Sequence, residues 1–68
     1  MLIAYLAVDL NGSPALEVTE YPVEEWDRCE AYIRERAEIV RVRIMAGNRH
    51  YEFLTAEGEL PVAVVVRS

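Results

Sequence analysis

The sequence predicts a two-layer α+β domain of order ββαβββ, a five-stranded antiparallel sheet with one helix packed on one face. Three observations carry this. Two β-rich runs flank Gly47-Asn48, only one segment (residues 23–37) has helical periodicity, and the runs at residues 2–10 and 61–67 are apolar on both faces.

The clearest element is the hairpin over residues 39–54. Gly followed by Asn suits a two-residue turn of type II′, whose first central residue needs positive φ. Such a loop sets Met45 against His50, Ile44 against Tyr51, Arg43 against Glu52, Val42 against Phe53 and Arg41 against Leu54. Opposed residues share a face. Val40, Val42, Ile44, Tyr51 and Phe53 then form a core face, while Ile39, Arg41, Arg43, Met45, His50, Glu52 and Leu54 form the other. A one-residue slip would mix the two sets.

The first strand, residues 2–10, places Leu2, Ala4, Leu6 and Val8 on one face and Ile3, Tyr5 and Ala7 on the other. Apolarity on both faces marks a central strand or a pairing edge. Asn11-Gly12-Ser13-Pro14 reads as a turn. Residues 15–20 alternate, and a three-residue loop would set Val8 against Leu16 and Leu6 against Val18, turning Leu16 and Val18 inward. Tyr21-Pro22 stops this strand.

The helix follows over residues 23–37. Pro22 and the acids Glu24, Glu25 and Asp27 suit its first turns, where the macrodipole favours negative charge. Trp26, Cys29, Ile33 and Ala37 fall on one apolar stripe. Glu24–Arg28 and Glu30–Arg34 are i,i+4 pairs in the favourable order. Beyond the hairpin, residues 55–59 have turn composition, and a two-residue loop at Glu57-Gly58 would set Phe53 against Val62 and Tyr51 against Val64. Pro61, which cannot donate to a ladder, is expected as the first residue of the last strand. Sheet order 2-1-5-4-3 puts the two most apolar strands in the middle. The alternative, 2-1-3-4-5, leaves the valine-rich strand at an edge, where it invites aggregation.

Composition bounds function more than it identifies it. A chain of 68 residues is one domain, residues 1–68, near the lower limit for an independently folding core. The single cysteine, Cys29, allows no internal disulfide, and one Cys with one His cannot build a structural zinc cage. A net charge of −5 disfavours direct binding to nucleic acid or to an acidic membrane. Residues 1–10 carry no basic residue, include Asp9 and are too short to span a bilayer. They lack a signal-peptide layout, so a cytoplasmic protein is expected. No phosphate loop, nucleophile elbow or metal-ligand spacing is present, and neither a cofactor nor a catalytic residue is expected.

One helix leaves one sheet face bare, and that face is expected to show Ile3, Tyr5, Ile39, Arg41, Arg43, Met45, His50, Glu52, Leu54 and Val65, with Ala7 and Ala63. Such apolar patches mark interaction sites. The expected partner is a protein, most simply a second copy of the chain stacked sheet on sheet. A second reading takes the helix acids Glu24, Glu25, Asp27 and Glu30 as a surface that blocks a nucleic-acid-binding complex, as small acidic inhibitors of phage type do. A solvated helix face that complements the dipole is the blander account of the same four residues. His50, beside Glu52, has the makings of a general base but no nucleophile to serve, and Cys29 reads as a buried structural thiol.

Overall fold

The computed structural model describes all 68 residues. Its elements are β1 (Leu2–Val8), β2 (Pro14–Tyr21), a 3₁₀ turn (Val23–Glu25), α1 (Trp26–Arg36), β3 (Arg41–Met45), β4 (His50–Leu54) and β5 (Ala63–Arg67). The strands form one antiparallel sheet in the order β2-β1-β5-β4-β3. The first and last strands therefore pair at its centre.

The helix opens as a 3₁₀ turn behind Pro22, whose φ of −59° is already helical while its ψ of 149° is extended. Arg34 and Arg36 occupy the last turn of α1, where cations suit the dipole. Ala37 then swings to φ −153° and ψ 148°, and the β-branched residues Ile39 and Val40 lead into β3. Cys29 and Ile33, one turn apart, are fully buried against Leu2, Ala4, Leu6, Tyr21, Phe53, Ala63 and Val65. Trp26 stacks at a tilt on Tyr51, with ring centroids 4.6 Å apart, and reaches Phe53 at 6.2 Å. Contacts of that geometry add to the area they bury.

The β3–β4 register is the one the sequence predicts, from Met45 opposite His50 to Arg41 opposite Leu54. Its turn is not. Ala46, Gly47 and Asn48 all take positive φ (54°, 64° and 66°), and the Arg49 amide closes the loop on the Met45 carbonyl. Three consecutive left-handed residues replace the II′ pair.

Two other registers are shifted by one residue from expectation. In β2, Val18 stands opposite Tyr5 and Glu17 opposite Leu6, with a bulge between Leu6 and Val8. Leu16 and Val18 therefore face outward, 76% and 54% exposed, instead of entering the core. The cause lies in the preceding loop. The Asp9 carboxylate accepts hydrogen bonds from the Asn11 and Ser13 amides, and the Asp9 amide donates to the Ser13 carbonyl. That self-contained loop spans five residues, 9–13, where three were expected.

In β5, Phe53 stands opposite Ala63 and Tyr51 opposite Val65. The β4–β5 connection runs over residues 55–62, the strand begins at Ala63, and Pro61 lies before it. Val62 and Ala63 meet Phe53 together, since the Val62 amide also donates to the Phe53 carbonyl. This bulge turns the whole strand over. Val65, expected on the bare face, is 0% exposed beneath the helix, and Ala63 is buried with it. Val64 and Val66 take the bare face instead.

Two further residues expected on that face leave it. Leu54 has the right parity but is 1% exposed, at the end of β4 where the 55–62 connection departs and returns. Ile39 packs against the core between α1 and β3. A bulge at Val40 and Arg41, where the Val40 amide donates to the Leu54 carbonyl, breaks the alternation before it reaches Ile39. Val40, expected in the core, is exposed.

Candidate protein-binding face

The corrected registers define the bare face row by row. One row crosses the sheet as Val18, Tyr5, Val64, Glu52 and Arg43. The next crosses as Glu20, Ile3, Val66, His50 and Met45. The face therefore divides along β5. On β2, β1 and β5 it is apolar except for Glu20, while on β4 and β3 it is charged, with Met45 at the hairpin end.

Of the residues expected there, Ile3, Tyr5, Arg41, Arg43, Met45, His50 and Glu52 share this face, with Tyr5 41% exposed. Leu16, Val18, Val64 and Val66 are its unforeseen members. The signal for Val18 was already in the sequence, since Asp9 followed by Asn11 and Ser13 marks a loop closed by its own carboxylate. β5 held no such signal, because all its interior residues are apolar.

The charged half is knitted together. Arg43 donates two hydrogen bonds to Glu52 Oε1, from Nε at 2.9 Å and Nη2 at 2.7 Å, while His50 Nε2 lies 3.3 Å from Oε2. The Arg43 hydrogen bonds hold the Glu52 carboxyl below its ordinary value, with His50 adding to the effect against partial burial. Arg41 has no carboxylate partner. His50 sits beside no nucleophile. Cys29 is fully buried on the opposite layer, and burial, helped by Glu30, pushes its thiol up to about 11. A thiol so placed stays protonated and inert at neutral pH.

The four helix acids are not equivalent. Glu25 pairs with Arg28 and Glu30 with Arg34, leaving Glu24 and Asp27 exposed and unpaired. Elsewhere one polar contact, Tyr32 to Glu17, ties the helix to the sheet. Tyr32 donates its hydroxyl to Glu17, which raises the Tyr32 pKa, and the Arg36 guanidinium lies over the Tyr32 ring at 3.4 Å.

On the helix side, a groove of about 360 Å³ lies between α1 and β3, lined by Leu2, Val23, Trp26, Val42, Ile44 and Tyr51, with Glu30 and Arg67 also in its wall. No set of three or more His, Cys, Asp and Glu side chains is gathered as metal ligands. No helix is long and apolar enough to cross a membrane. No known protein family matches the chain, and neither curated proteins nor solved structures give a significant match.

Proposed function

We propose that the chain is a small, non-enzymatic protein-binding module that self-associates through its bare sheet face. The observation that carries this reading is the continuous apolar surface over β2, β1 and β5, with Tyr5 at its centre between Val18 and Val64. Water-facing antiparallel sheets ordinarily alternate apolar inside and polar outside. Here both sides of β1 and β5 are apolar, so the side without a helix wants a cover.

A second copy supplies an equivalent cover through a twofold axis, the commonest symmetry of soluble oligomers. The longest Cα extents of the molecule are 28 and 20 Å. A face of that outline is smaller than the roughly 800 Å² that a standard interface takes from each partner, and its apolar half is smaller still, so the dimer belongs with the small, weak interfaces. With the axis near β1, the apolar halves stack and the Arg41–Arg43 edge of each copy stays outside.

Light scattering at micromolar concentration tests this, with a mass near twice 7.8 kDa expected. Raising the salt should hold or tighten the dimer, because apolar stacking strengthens as ions are excluded from the surface. A Tyr5→Glu, Val64→Glu double variant should stay folded and fall to a single-chain mass. A strict monomer at every salt concentration refutes self-association. The acidic-inhibitor reading has less support, since half of its four carboxylates are held by helix arginines. It predicts instead a heterologous complex that salt weakens steeply.

A further inference from the structure

The free edge of β3 joins three properties that the bare face does not use. The first is its backbone. The Arg67 amide donates to the Arg49 carbonyl, so in the alternation of an antiparallel ladder the odd-numbered residues of β4 bond toward β5. His50, Glu52 and Leu54 then bond toward β3, which uses the amides and carbonyls of Met45, Arg43 and Arg41. The amides and carbonyls of Val42 and Ile44 consequently point away from the sheet, unpaired in the ladder. A row of that kind is a template for one more strand.

The second property is the helix side of the same edge. Val42 and Ile44 point there into the groove beside Trp26 and Tyr51, and Ile44 is 54% exposed. The third is the opposite side, which carries Arg41, unpaired, and Arg43, held by Glu52. Side chains of an added strand would alternate between these two environments.

We propose that this edge binds an extended segment of another protein in which apolar and acidic residues alternate. The segment adds a sixth strand beside β3 and hydrogen-bonds to the Val42 and Ile44 backbone. Its apolar side chains enter the groove by Trp26, and its acids lie against Arg41 and Arg43. Two copies of this edge paired along the full length of β3 would set Arg43 against Arg43, so the occupant is a different surface. The proposal does not depend on self-association, because the groove and the edge lie outside the apolar half of the bare face.

Trp26 is the only tryptophan and lines the groove, so its emission reports occupancy. The probe is a capped eight-residue peptide of alternating valine and glutamate. It should shift Trp26 emission saturably. A valine–lysine peptide should bind at least tenfold more weakly, and so should the valine–glutamate peptide to an Arg41→Glu, Arg43→Glu variant. N-methylation of every second peptide amide, on the side facing β3, should abolish binding, as should Ile44→Asp. Equal binding of the two charge types, or binding that survives N-methylation, overturns the proposal. So does the absence of any saturable shift. Open-ended oligomers of the chain that the arginine variant dissolves, with no peptide binding, assign the edge to the acidic strand β2 of another copy and likewise overturn it.

Discussion

The two halves of the sheet expose apolar surface on opposite sides. On β2 and β1 the outward side chains Leu16, Val18 and Tyr5 lie on the face without a helix. On β3 the corresponding side carries Arg41 and Arg43, and it is Ile44, beneath the helix layer, that stays open. The difference follows from width. A helix is about 10 Å across, whereas five strands spaced about 4.8 Å apart span nearly twice that. α1 lies over β1, β5 and β4, so β3 keeps an uncovered apolar side where the helix runs out. The lesson is that one face of a sheet can hold both a sealed core and an open groove.

The sharpest way to break this contrast is to remove the core that both halves share. Phe53→Ala should cost about 3–5 kcal/mol, a large part of the roughly 3–10 kcal/mol expected for a domain of this size. Urea denaturation is the measure. Ile33→Ala, which removes the helix contact alone, should follow at about 2–5 kcal/mol.

Outward substitutions should separate the halves without unfolding either. Tyr5→Glu should lower the scattering mass and leave the groove intact, with Trp26 emission unchanged. Ile44→Asp should do the reverse. Each should alter the stability of the single chain by about 0.5 kcal/mol or less. A mass change in both variants would show that the two surfaces are one.

Smaller effects probe the charged half. The folded pKa of Glu52 is lowered, so its stabilising contribution is complete above the ordinary carboxyl value of 4.5 and is lost as pH falls through the folded value. Glu52→Gln should therefore lose that contribution at neutral pH and flatten the acid limb below about pH 4.5, so that the two stability curves converge as pH falls. Smallest of all, Cys29 should resist thiol reagents in the folded chain at pH 8 and react once the chain is denatured, because its thiol is raised to about 11.

How much of this was legible depended on how unevenly the residues are patterned. The β3–β4 register could be read because Arg41, Arg43 and Glu52 alternate with Val42, Ile44 and Phe53, so only one register avoids burying charge. The strand order was legible for a related reason, since two runs apolar on both sides belong at the centre. β5 offered no such contrast. With Ala63, Val64, Val65 and Val66 in succession, sliding by one residue exchanges alanine and valine for valine and valine. A bulge at Val62 could then decide the face unseen. β2 failed for another reason, as the carboxylate of Asp9 lengthened its loop. The groove beside Trp26 was invisible because it depends on how far a helix reaches across a sheet, which no residue pattern encodes.

The pairing of β1 with β5 brings the chain ends together, with the Ser68 amide donating to the Met1 carbonyl at 3.1 Å. A nascent polypeptide cannot complete this sheet until residues 63–67 have cleared the ribosome exit tunnel. The central ladder must also close the longest loop the molecule contains, which slows folding relative to a domain built from neighbours in sequence. The same proximity allows the ends to be joined by a short linker and the chain reopened at the exposed Gly47 turn. In that circular permutant β1 and β5 become a local hairpin and β3–β4 becomes the ladder that closes the longest loop, so the slow closure should move from the centre of the sheet to its edge while the architecture is kept.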